Sequence, residues 1–177
     1  MRAETDMARL ESFMAALGRL VQGEGRVYFT GGATALLHGW RSTTIDIDLK
    51  ADPEPRGFFA ALARLKEDLD VNLELASPDL FIPVVPGWRE RSLFIARHGS
   101  VEFFHYDPYS QALAKLQRGH ERDLLDVRCL CRHGLVRLPR LLELFRLIQP
   151  DLVRYPAVDV LSFEAAVLGF LQEPDER

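Results

Sequence analysis

The sequence predicts an α/β (α+β) protein: a small mixed β-sheet, helices packed on it and a C-terminal helical lobe. Three observations lead there. Short runs that alternate apolar and polar residues are interleaved with amphipathic helical stretches as far as Tyr106. From Pro108 onward the periodicity is helical throughout. The 177 residues suit one domain, and 47% of them are apolar, enough to bury a core and to exclude general disorder. Residues 1–107 are then the α/β core, and 108–177 the helical part of the same domain.

The elements follow in order. Leu10, Phe13, Met14, Leu17, Leu20 and Val21 recur at helical spacing, predicting an amphipathic helix from Met7 to Gln22, closed by Gly23 and Gly25. Arg26–Thr30 reads as a short strand, and Gly31-Gly32 opens a short helix over Ala33–His38 that Gly39 ends. Ile45–Leu49 alternates apolar and acidic residues, which marks a strand with two carboxylates on one face. Phe58, Phe59, Leu62, Leu65 and Leu69 build a second amphipathic helix, and Val71–Leu75 is another alternating strand. Pro78, Pro83 and Pro86 turn Ser77–Ser92 into a long surface loop. Leu93–Ala96 and Val101–Tyr106 form a hairpin around His98-Gly99-Ser100, and helices follow at 109–118, 121–132, 139–148 and 162–172.

Several classes fall away. The longest C-terminal apolar stretch, Ala157–Leu171, is broken by Asp159 and Glu164 and is too short to span a membrane. No basic-then-apolar leader opens the sequence, and its two cysteines cannot build a disulfide framework, so the expected setting is cytoplasmic, with no membrane partner. Cys129-x-Cys131-x-His133 lacks zinc-ligand spacing, and a helix sends the three side chains to different faces, so a structural role is expected. Charge is uneven: residues 1–85 carry nine basic and 13 acidic side chains, 86–154 carry 12 and eight, and 155–177 carry one and five. A basic middle between acidic flanks suits a protein that handles an anion. Only Lys50, Lys66 and Lys115 stand against 19 arginines, which singles out each lysine as a compact ammonium.

Asp46 and Asp48 are the strongest chemical feature. On a strand they point the same way, roughly 6.5–7 Å apart at Cα, and their mutual repulsion is relieved by a cation, Mg²⁺ or Mn²⁺. Such ions clamp the attacking and leaving oxygens of an in-line phosphoryl displacement. Gly31-Gly32, at a strand-to-helix turn, offers bare amides to phosphate. Arg41, Ser42, Thr43 and Thr44 lead into the acidic strand; Arg41 suits bidentate contact with a phosphate, and Arg41 and Thr44 are expected to bind the nucleotide. A third acid is expected from a neighbouring strand, as a base for the attacking hydroxyl or a further ligand, with Glu74 first and Glu102 in reserve.

The stretch GGATALLHGWRSTTIDIDL resembles the nucleotidyltransferase superfamily related to DNA polymerase beta. The resemblance implies that Gly31 and Gly32 hold a nucleoside triphosphate and that Asp46 and Asp48 bind catalytic metal. YDPYSQALAKLQRGHERDLLDV is similar to the signature of AbiEii-like and MenT-like nucleotidyltransferases, which include bacterial toxins. FIPVVPGWRERS and RYPAVDV extend the likeness to a small bacterial nucleotidyltransferase family. By that likeness Lys115 contacts the nucleotide phosphates, Asp126 completes the site with Asp123 able to exchange roles, and Arg118 and Arg122 add nucleotide contacts. On one continuous helix Arg122 and Asp126 would each fall within about 20° of Lys115, though Gly119 interrupts.

The expected activity is therefore transfer of a nucleoside monophosphate from an NTP to a hydroxyl. RNA, tRNA among them, is the first acceptor, in a toxin partnered by an antitoxin protein. A protein side chain or small molecule is the alternative acceptor, and a non-catalytic nucleotide-sensing module is the alternative class.

Overall fold

In the computed structural model, residues 4–172 are described, and they fall into two compact units. The first comprises the residues up to Ser77 together with Ser92–Tyr106; the second comprises Pro78–Arg91 and the residues from Asp107 onward.

The first unit is the α/β part. Its strands are β1 (Gly25–Thr30), β2 (Asp46–Ala51), β3 (Asn72–Glu74), β4 (Leu93–His98) and β5 (Val101–His105), in the spatial order β3-β2-β1-β5-β4. The sheet is mixed, as expected: β1 runs antiparallel to β2 and parallel to β5, β2 is parallel to β3, and β4 with β5 makes the hairpin. Helices α1 (Met7–Leu20), α2 (Gly31–Leu37) and α3 (Phe58–Asp68) complete the unit. Asp6 caps α1 by accepting from the Arg9 amide, and Leu10, Phe13, Met14 and Leu17 are its buried stripe. Those side chains meet Val27, Phe29, Ile47, Leu49, Val101 and Phe103 from alternate positions of three strands, with Phe58, Leu62 and Leu65 of α3. One face of the sheet is thus committed to the core. Period-2 alternation puts the remaining side chains of β1, β2 and β5 on the opposite face.

The second unit is helical: α4 (Trp88–Arg91), α5 (Pro108–Arg118), α6 (Glu121–Arg132), α7 (Leu138–Ile148) and α8 (Val160–Gln172). The four long helices lie where the periodicity places them. Ser77–Ser92 does not form the long surface loop expected of its prolines. A 3₁₀ turn at Pro78–Leu80 and α4 structure it, and Ile82, Val85 and Trp88 are buried. Its three apolar anchors, spaced three apart, outweigh the prolines, because each buried side chain recovers more than the loop entropy that fixing it removes.

Candidate active site

Asp46 and Asp48 sit on β2 in a strict alternation with Ile47 and Leu49: the apolar pair is buried, and the acids are half-buried on the opposite face. Across the strand pair, Glu74 of β3 stands in register with Asp48, and Asn72 with Asp46. Glu102 lies on β5, separated from β2 by β1, and forms an ion pair of 3.2 Å with Arg26. Glu74 is therefore the acid beside the pair, and Glu102 belongs to a different charge partner. On the other side of β2, Thr30 of β1 is in register with Asp48. Sequence reasoning passed over Thr30, although its parity in β1 signals the same face.

The two glycines are pressed against this acidic strand. Gly31 adopts φ +57°, and a Cβ there would collide with Oδ2 of Asp48. A side chain at Gly32 would collide with the Thr44 hydroxyl and lie 3.8 Å from a terminal nitrogen of Arg41. The backbone thus comes as near to a carboxylate as its lack of Cβ permits, with a guanidinium close to the same turn. Thr44 is buried, and its hydroxyl donates to the Asp46 carbonyl at 2.9 Å, so its part is to hold the start of β2.

Oxygen donors on one sheet face, beside a half-buried glycine turn and an arginine, form a set suited to a hard divalent cation and the phosphates it accompanies. Asp46 and Asp48 are the residues that fit Mg²⁺ or Mn²⁺. Among the described residues no three His, Cys, Asp or Glu side chains converge into a ready metal-holding group; Glu74 stands in register beside Asp48.

In the second unit, Lys115, Arg118, Asp123 and Asp126 form one network. The Lys115 ammonium donates to Oδ2 of Asp126 at 2.6 Å and to Oδ1 of Asp123 at 3.4 Å. Arg118 forks onto Asp123, Nε to Oδ2 at 2.7 Å and Nη2 to Oδ1 at 2.5 Å. Both carboxylates are buried. Burial alone would raise the Asp123 carboxyl; the Arg118 hydrogen bond and the charges of Lys115 and Arg118 outweigh it and hold that group below its ordinary 3.8. One continuous helix does not bring these groups together. Gly119, at φ +71°, ends α5, and α6 begins afresh at Glu121, so Lys115 and Asp126 meet across a tight helix–turn–helix. That break also redirects the arginines: Arg118 enters the network, whereas Arg122 lies exposed outside it.

Trp88, considered with Arg89 and Arg91 as a possible base-stacking group, is only 5% exposed. Arg89 covers its ring at 4.5 Å, and Arg91 is bound to Asp107, so the trio holds structure. A stack of rings escaped sequence reasoning: His38 lies between Trp40, at 4.8 Å, and His105, at 4.0 Å, nearly parallel to both. No spacing in the sequence links His105 to a helix end nearly seventy residues earlier.

Comparison with known proteins covers the same stretch of the chain. A family model described as a nucleotidyltransferase of unknown function (DUF6036) matches residues 6–151, which span every group named above. No curated protein and no solved structure matches the chain.

Proposed function

The chain belongs to that nucleotidyltransferase family, and from this premise we propose that it moves a nucleoside monophosphate from an NTP to a hydroxyl of RNA. The observation that carries the reading is the pair Asp46 and Asp48 on one face of β2, with the Gly31 backbone seated against the Asp48 carboxylate. Asp46 and Asp48 would hold Mg²⁺ or Mn²⁺, which would supply positive charge to offset that of the phosphoryl group. Gly31 and Gly32 bring the backbone of the turn close to the Asp48 carboxylate and the Thr44 hydroxyl, and Arg41 beside the turn offsets phosphate charge. Within the second unit, the Lys115 ammonium, directed by Asp126, is suited to a phosphate group.

In the reaction the hydroxyl oxygen bonds to the α-phosphorus, the bond from that phosphorus to the bridging oxygen breaks, and pyrophosphate leaves. Glu74, exposed beside Asp48, takes the hydroxyl proton. RNA is supported by the excess of basic side chains in residues 86–154, 12 against eight acidic. A tRNA acceptor and a toxin role held in check by an antitoxin protein follow from the likeness to AbiEii-like and MenT-like enzymes.

The test is label transfer from each α-labelled NTP to total bacterial RNA with Mg²⁺, beside Asp46→Asn and Asp48→Asn. Both variants should keep the wild-type melting temperature within about 2 °C and lose at least ~100-fold in rate. Label on the protein or on a small molecule would replace RNA as the acceptor. Full activity of Asp48→Asn would sink the metal mechanism, and no transfer from any nucleotide would favour a nucleotide-sensing module.

A further inference from the structure

The four charged groups of the second unit are not equivalent. Lys115 and Arg118 share one face of α5 at i and i+3, yet the Lys115 side chain is 12% exposed and that of Arg118 is 57% exposed. Asp123, at 4% side-chain exposure, touches both. An exposed arginine on an ordinary surface pair is held loosely, because ordering its long side chain removes what the pairing contributes. Arg118 is different: two parallel hydrogen bonds lock Nε and Nη2 to a carboxylate that is itself anchored in the protein. Its guanidinium plane is fixed while the group remains open to solvent. Lys115 donates two of its three N–H groups, to Asp126 and Asp123, and retains a third for a ligand.

We propose that Asp123 is a positioning residue: it fixes Arg118 beside Lys115 so that the two cations grip a polyphosphate as a preorganised pair. The inference rests on the nucleotidyltransferase reading and adds the residue that sets phosphate affinity. Asp126 has a separate task, since it touches Lys115 and orients the ammonium. Charge compensation alone does not call for this arrangement. Any flexible cation near Asp123 would neutralise it, whereas a planar fork fixes direction as well as charge. Preorganisation raises affinity because the rotamer freedom of Arg118 is already lost before the ligand arrives.

Calorimetric titration of the full-length chain with inorganic tripolyphosphate and Mg²⁺ tests this. Arg118→Ala and Asp123→Asn should each weaken binding about tenfold, and the double variant no more than Arg118→Ala alone. Arg118→Lys, which keeps the charge and loses the fork, should weaken it as Asp123→Asn does. Losses that multiply in the double variant, or an Asp123→Asn chain that melts earlier but binds as wild type, would overturn the positioning role. So would a wild-type chain that does not bind tripolyphosphate. If Asp123→Asn does not fold, Asp123→Glu replaces it in the same cycle, since its longer arm misplaces the fork without removing the charge. Transfer of α-label is read separately, so loss of nucleotidyl transfer with the cycle intact would discard the enzyme and leave the phosphate clamp standing.

Discussion

Gly31 carries two demands that no other residue meets. Its φ of +57° lies in the left-handed region, and its α-carbon faces Oδ2 of Asp48 so closely that a methyl group has no room. Alanine there is expected to cost about 1–2 kcal/mol in backbone strain and to push the Asp48 carboxylate aside. Gly31→Ala should therefore lose transfer far more than stability, a split that rate measurements and thermal melts on one preparation would reveal. Equal behaviour of Gly31→Ala and wild type in transfer would show that the turn does not touch the chemistry. Gly39, by contrast, has open space around it, and its φ of +82° makes strain the only penalty. Both glycines look alike in the sequence; the carboxylate opposite one of them separates their roles.

Among the elements, α5 matters most, because it bears both Lys115 and Arg118. Its N-terminus is held by Asp107, fully buried, which accepts from the Tyr109 and Ser110 amides, from the Ser110 hydroxyl and from two nitrogens of Arg91. Arg91 also donates to the Pro86 carbonyl at 2.7 Å, so one carboxylate ties the 78–91 segment to the helix. Asp107→Ala removes the cap and leaves Arg91 without its counter-charge. A loss of about 3 kcal/mol follows, or a melting temperature lower by roughly 6–12 °C. Arg140→Ala breaks only an exposed pair with Glu143 and should change stability by less than about 0.5 kcal/mol. Comparable losses in the two variants would show that Asp107 is not a hub. The Asp-Pro start of α5 was legible as a helix boundary, but the partner in an expected loop was not, since nothing local pairs Arg91 with a residue sixteen positions later.

At the scale of the whole molecule, His105 sets a pH dependence. Burial, and then the neighbouring His38, pushes its imidazole from 6.5 down to about 3. Its Nδ1 is buried without a hydrogen-bond partner among the described residues. Between pH 6.5 and 3 the unfolded chain binds a proton at this position that the folded chain resists. Stability is therefore full above the unfolded value and falls as pH drops through that window, by at most about 1.4 kcal/mol for each pH unit. Denaturant midpoints at pH 7, 5.5 and 4.5 should decline in the wild type and less steeply in His105→Phe. Parallel declines would assign the acid sensitivity elsewhere. No described helix is long and apolar enough to cross a membrane, in keeping with the short and interrupted apolar runs of the sequence.

The sequence by itself determined the order and kind of the strands and of the helices outside Ser77–Ser92, the mixed sheet class, and the facing of Asp46 and Asp48 on one strand. Periodicity and turn chemistry are local, and two residues apart on a strand is a local relation. Only the tertiary structure decided that Glu74 rather than Glu102 stands beside Asp48, because strand order is a long-range property. It also decided that the proline-rich segment packs, that Arg118 rather than Arg122 joins Lys115, and that His105 stacks on His38. Each of those outcomes depends on which distant surfaces are buried together. That is settled by the summed apolar area and the pairing of buried charge over the whole chain, which no window along the sequence contains.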